Sequence, residues 1–132
     1  MYSHTHLLDT IADSKEAEVC SKNLLMLADI HDKASGNTIR IPYSSLVNKY
    51  RDFLSSAVDL IALTDGELRK YRFSPKRLSS KLYGTTELWS DLLRLNGMIS
   101  LLEFDRPIIK IYNPSKINDL LNEILIMEGK IS

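Results

Sequence analysis

The stretch Ser55–Phe73, SSAVDLIALTDGELRKYRF, decides how the chain is arranged, because it sets two segments of strand-like composition on either side of Asp65-Gly66. An Asp-Gly pair in that setting is a short-range signal for a hairpin turn. Strands are therefore predicted over 57–64 and 67–73. Ser74-Pro75 breaks the second strand, and PKRLSSKLYG fits a short helix with Pro75 in its first turn and Gly84 at its end. Beyond it, Leu88, Trp89, Leu92, Leu93 and Leu95 share one helical arc, with Glu87, Ser90, Asp91 and Arg94 opposite. This predicts a helix from about Thr86 to Asn96, capped by Thr85 or Gly84 and ended by Gly97. RPIIKIYNP, bounded by Pro107 and Asn113-Pro114, reads as a further strand.

Trp89, the chain's only tryptophan, lies well inside the apolar arc, which favours a core residue over a ligand platform. Past Ser115, a favourable helix cap, Ile117, Leu120, Leu121, Ile124 and Leu125 recur with helical spacing as far as Gly129. Ile126 falls on the polar side of that helix, either as a tolerated surface residue or as part of a contact with another chain. In the first third, a helix is expected from about Lys15 to Asp32, ASGN is a loop, TIRIP is a short edge strand ended by Pro42, and YSSLVNKYRDFLSSA is a helix capped by Ser44 or Ser45. The composition shift at KASGNT separates an N-terminal helical arm, residues 1–35, from an α+β core over 36–132. That core is expected to be a small antiparallel sheet with packed helices.

The chain has 132 residues, 44% hydrophobic and 26% charged, the balance of a folded globular domain. Lys plus Arg number 17 and Asp plus Glu 17, so no overall field draws it to nucleic acid or an anionic membrane, and any charge-driven partner must meet a local patch. Cys20 has no internal partner for a disulfide, and the opening MYSHTHLLDTIADSKEAE lacks the basic start and apolar run of a signal peptide. No apolar run reaches the length of a membrane-spanning helix.

Catalytic constellations are not evident. The histidines, His4, His6 and His31, all lie near the N-terminus and match no nucleophile signature. Cys20 has no CxxC companion, and the glycines form no phosphate-cradling loop. Asp9 with Asp13 and Glu16 with Glu18 read as solvated faces. No catalytic residue, cofactor or metal is assigned. One local feature stands apart: RKYRFSPKRLSSK carries Arg69, Lys70, Arg72, Lys76, Arg77 and Lys81 without an acid, with Tyr71 and Phe73 interleaved. Cations among aromatic rings suit single-stranded nucleic acid. Strand alternation would instead put Tyr71 and Phe73 together on a buried face, so an acidic protein partner is the preferred reading. The candidate partner interface is Arg69, Lys70, Arg72, Lys76 and Arg77, with Ile126.

LSSKLYGTTELWSDLLRLNG, followed by RPIIKIYNPSKINDLLNEILIMEG, resembles the baseplate wedge protein of contractile-tailed bacteriophages that helps clip adjacent wedges together. With IPYSSLVNKYRDFLSSAVDLI and LRKYRFSPKRLS, the resemblance covers roughly residues 39–129. Its markers are Tyr83-Gly84, Leu88-Trp89, Leu92-Leu93 and Asn96. Where larger relatives carry a long insertion, this chain crosses with only MISLLEFDR. Within the same region, strand 67–73, helix 75–83, helix 86–96 and strand 108–112 follow the order of LysM modules, although the glycine-aspartate opening and the Gly-Gln before the last strand are missing. The wedge resemblance implies a non-enzymatic structural subunit of the virion tail, present in several copies, assembled in the host cytoplasm, and partnered by other wedge, hub or sheath-proximal proteins. It implies neither nucleic acid nor membrane as a partner. The LysM resemblance implies a module that binds peptidoglycan or other N-acetylglucosamine polymers.

Overall fold

A computed structural model describes residues 5–25, 27–31, 36, 38–42, 47 and 49–127, with side chains for all of these except 25, 27–31, 38–42, 121, 122 and 125–127. The fold is α+β. A strand β1 (Thr5–Leu7) leads into a short helix α1 (Leu8–Ala12), helix α2 (Lys15–Leu25) and a hairpin of β2 (Leu27–His31) and β3 (Thr38–Pro42). A 3-10 turn (Phe53–Ala57) precedes β4 (Val58–Ala62), α3 (Asp65–Tyr71) and α4 (Pro75–Tyr83). A second 3-10 turn (Thr86–Leu88) runs into α5 (Trp89–Leu95), and a third (Leu101–Glu103) precedes β5 (Ile108–Tyr112) and the C-terminal α6 (Pro114–Met127).

The three-stranded sheet has the order β1-β4-β5. β4 and β5 are antiparallel, from Val58 opposite Tyr112 to Ala62 opposite Ile108, whereas β1 runs parallel to β4, with Thr5 opposite Leu60 and Leu7 opposite Ala62. The sheet is thus mixed, a correction to the all-antiparallel expectation. Three residues without a distinctive pattern become a strand because β4 offers them a free edge. In the register row Leu7, Ala62, Ile108, the outer two side chains are exposed.

The segment 67–73 is a helix and not the second strand of a hairpin. Thr64 Oγ1 accepts from the Glu67 N–H (3.3 Å) and Glu67 Oε1 accepts from the Thr64 N–H (2.9 Å), a reciprocal capping box. Two otherwise orphaned N–H groups are satisfied at once, and Asp65 lies in the first turn where the helix dipole favours an anion. The same four residues, Thr64-Asp65-Gly66-Glu67, thus open a helix. The observed order is therefore strand β4, helices α3, α4 and α5, and strand β5, in place of the expected strand, helix, helix, strand beginning at 67–73.

The α4 helix follows the sequence reading, with Pro75 at its start and Gly84 in the left-handed conformation at its end (φ 72°). Helix α2 starts under Ser14, whose Oγ accepts from the Ala17 N–H (3.1 Å), and buries Ala17, Cys20 and Leu24 on one face. It stops at Leu25 and does not continue to Asp32, because Leu27–His31 pairs antiparallel with Thr38–Pro42 over their whole length. At α6 the cap is Asn113, whose Oδ1 accepts from the Ser115 N–H (3.1 Å), and not Ser115. The predicted caps Ser44 and Ser45, the stop at Gly129 and the side chain of Ile126 lie outside the described residues.

One core joins these pieces. Leu8, Ile11, Cys20 and Leu24 from the first 35 residues share it with Ile61, Leu78, Leu82, Leu88, Leu92, Ile109, Ile117 and Ile124. Each fully buried Leu or Ile contributes about 1.5–3 kcal/mol. Helix α2 is further tied to α6 by the Asn23 Nδ2 to Asn118 Oδ1 bond (3.2 Å), with Asn118 Nδ2 donating to the Glu16 carbonyl (2.8 Å).

Candidate functional site

The turn between α3 and α4 holds the main departure from ordinary backbone geometry. Phe73 takes a left-handed φ of 61°, unusual for a bulky residue, and is fixed there by its N–H donating to the Phe104 carbonyl (2.7 Å). The ring is pushed outward and is 40% exposed, while its neighbour Tyr71 is buried. The two aromatic rings therefore do not share a buried face, because the segment is a helix end and not a strand.

Across the turn, Trp89 is half-buried: it packs against the core and also lines the surface. The prediction that it is plain core holds only in part. Phe73, Pro75, Lys76, Trp89 and Leu101 enclose a depression of about 170 Å³, with the Lys76 Nζ 5.3 Å from the centroid of the Trp89 ring. A broader trough of about 680 Å³ adjoins it along Leu93, Arg94, Met98, Ile99 and Leu101, so that Trp89 and Leu101 form the ridge between the two.

The far rim lies on the segment Gly97–Glu103. Gly97 turns it at a left-handed φ of 66°. Glu103 then clamps it, accepting from the backbone N–H groups of Ser100 (2.9 Å) and Ile99, and these bonds hold its carboxyl below the usual carboxylate range. On this stiff turn Ile99 is 92% and Leu102 76% exposed.

The predicted basic patch falls at the end of α3 and the start of α4, and all of its members are exposed. It is not on a strand. Arg72 pairs with Asp105 (3.0 Å) and stacks on Phe73 at 4.7 Å; Arg77 reaches the Lys70 carbonyl (3.4 Å); Lys70 lies over Tyr71 at 5.3 Å. Lys81, from the same run, pairs with Asp13 (3.0 Å). Of the patch, Lys76 alone lines the aromatic depression, Arg72 stacks on its Phe73, and Arg69, Lys70 and Arg77 are not part of its lining. The apolar rim Ile99, Leu101 and Leu102 was missed by sequence reading. Its only signal was an apolar run, SLLEF, in a loop with no strand or helix to bury it.

A second polar cluster is structural. Asp59, buried on β4, accepts from Asn113 Nδ2 (2.9 Å) and pairs with Lys116 (2.9 Å), with His6 at 3.9 Å. Asp91, expected on a solvated face, is buried and paired with Arg94 (2.9 Å), which also donates to the Tyr112 hydroxyl (2.7 Å). Among the described residues no group of three or more His, Cys, Asp and Glu is placed to hold a metal, and no helix is long and apolar enough to cross a membrane. Comparison with protein-family models, with curated proteins and with solved structures finds no match to this chain.

Proposed function

We propose that the chain is a non-enzymatic structural subunit of a contractile bacteriophage tail baseplate, joining neighbouring baseplate proteins through the face built by Phe73, Trp89, Ile99, Leu101 and Leu102. The observation that carries the adaptor reading is the exposure of Ile99 and Leu102 on a turn whose backbone N–H groups Glu103 accepts from. A contiguous apolar surface rimmed by cations is expensive to leave in water and marks a protein contact. The baseplate assignment is supported by the resemblance of Leu78–Gly97 and Arg106–Gly129 to wedge proteins. The work of such a subunit is adhesion with rearrangement: modest patches hold several neighbours and change partners when the sheath contracts.

Replacing Ile99 and Leu102 together by Asp tests this. The purified variant should keep its circular dichroism spectrum, since neither side chain is in the core, while particles made with it lack complete baseplates in electron micrographs. Normal baseplates would remove this face from the assembly.

A second reading, LysM-type binding of N-acetylglucosamine polymers, is favoured by the half-buried Trp89 beside Phe73, because a ring lining a depression suits a sugar face. A saturable change of Trp89 emission with N-acetylglucosamine oligomers would promote it.

A further inference from the structure

We infer that the double depression around Trp89 receives an extended acidic segment of a partner protein, with one apolar side chain on each side of the indole and a carboxylate at Lys76. The inference rests on reading this face as a protein interface and is independent of which particle the partner belongs to. Three observations carry it. The lining of both depressions contains the cations Lys76 and Arg94 and no carboxylate. Several acids of the region are engaged elsewhere: Glu67 caps α3, Asp105 holds Arg72, Glu103 holds the Ile99–Ser100 backbone, and Asp91 already neutralises Arg94, so that Lys76 is the lining cation open to an added anion. Among the described residues Lys76 Nζ lies over the Trp89 ring and forms no ion pair, an arrangement in which an added anion gains a full charge partner.

The shape agrees with the charge. Two apolar hollows that share one aromatic ridge fit side chains projecting from an extended backbone, whereas a helix would need one continuous groove. Phe73 and Trp89 supply rings that lose little conformational freedom on binding, and the exposed cations Arg69 and Arg77, on the helices that flank the turn, favour approach of negative charge.

The test uses the purified full chain and two pools of acetylated, amidated six-residue peptides. Both pools have Leu, Ile, Phe or Met at the two central positions; one has Asp and Glu at the flanks, the other Lys and Arg. Fluorescence anisotropy of the labelled peptides is the readout. The acidic pool should bind saturably and the basic pool should not, with binding weakened at about 0.5 M salt by charge screening. Lys76→Glu should reduce affinity by about tenfold or more, while Lys22→Glu, on the exposed face of α2, should leave it unchanged. Phe73→Gly provides a variant that folds, since glycine adopts the left-handed φ without strain, and it too should lose binding.

Equal binding of the two pools, or an acidic-pool affinity indifferent to Lys76→Glu, would overturn the inference. If neither pool binds while Ile99→Asp with Leu102→Asp still abolishes baseplates, the face remains an interface and the acidic-segment inference falls. Binding of N-acetylglucosamine oligomers in place of either pool would replace the inference by the sugar reading.

Discussion

Asn96 closes the outer edge of strand β5 by acting on Lys110 as a neighbouring strand would. Its Oδ1 accepts from the Lys110 N–H (2.7 Å) and its Nδ2 donates to the Lys110 carbonyl (2.9 Å), while the same Nδ2 holds the Leu92 carbonyl of α5 (2.7 Å). Two residues along, the Tyr83 hydroxyl repeats the device, donating to the Tyr112 carbonyl (2.8 Å) and accepting from the Tyr112 N–H (3.0 Å). An exposed strand edge invites pairing with another chain, and here side chains of the helical layer occupy it. Tyr83 and Asn96, both markers of the baseplate resemblance, thus have a structural role in this fold.

Asn96→Ala should lower stability by about 1–3 kcal/mol, because it removes the amide that bonds the Lys110 N–H and carbonyl. Asn96→Asp should cost at least as much near neutral pH, since a carboxylate oxygen then faces two carbonyls. Its deficit should shrink as pH falls through the carboxylate range and the group protonates. Urea unfolding of both variants at pH 7 and pH 4 checks this; equal deficits for Asp at the two pH values would contradict the assigned orientation.

Gly84 and Gly97 both take left-handed φ, but a Cβ on Gly84 would lie 2.7 Å from the Ser21 Cβ, whereas one on Gly97 meets nothing within 4 Å. Gly97→Ala should therefore cost only the backbone term, about 1–2 kcal/mol. Gly84→Ala should add an overpacking term of about 1–3 kcal/mol, since α2 must shift away from α4. Thermal unfolding of the pair measures the difference, and equal costs would argue against close contact of the two helices.

Stability should fall above about pH 9. Burial pushes the Cys20 thiol up from 9.0 to about 12, and burial likewise raises the Tyr83 hydroxyl well above 10.0. Both stay protonated in the fold but ionise in the unfolded chain, so the unfolded state binds fewer protons and gains on the folded state as pH rises. The Cys20 contribution is constant below pH 9 and is lost between 9 and about 12, at no more than about 1.4 kcal/mol per pH unit. Cys20→Ala should flatten the fall between pH 9 and 10, before Tyr83 contributes. An unchanged pH profile in that variant would count against the buried thiol.

Trp89→Ala should cost about 2 kcal/mol, less than a fully buried tryptophan would, because only part of the ring is removed from water. Its emission should lie between those of buried and solvated indoles and should respond to a soluble quencher. Complete protection from the quencher would place the ring in the core.

Much of the central region was legible locally. Helix α4 announces itself by Pro75 and Gly84, β5 by its apolar run between Pro107 and Asn113, and α6 by the spacing of Ile117 and Ile124, all features whose physics lies within a few residues. The exposure of Phe73 was not, since it follows from a left-handed residue whose N–H donates to the carbonyl of Phe104, distant in sequence.

By itself the sequence determined an α+β domain of neutral net charge, the positions of α4, β5 and α6, and the clustering of Arg69 to Arg77. Only the tertiary structure decided that Thr64-Asp65-Gly66-Glu67 opens a helix, because that string suits a hairpin or a capping box and the choice depends on which strand β5 pairs with. The partner is β4, and the remaining free edge of β4 recruits Thr5–Leu7, residues with no strand signal of their own. Asp91 was drawn into the interior for a similar reason: Arg94 and Tyr112 meet it there, and a buried carboxylate is tolerated where a cation and hydrogen bonds compensate its lost water.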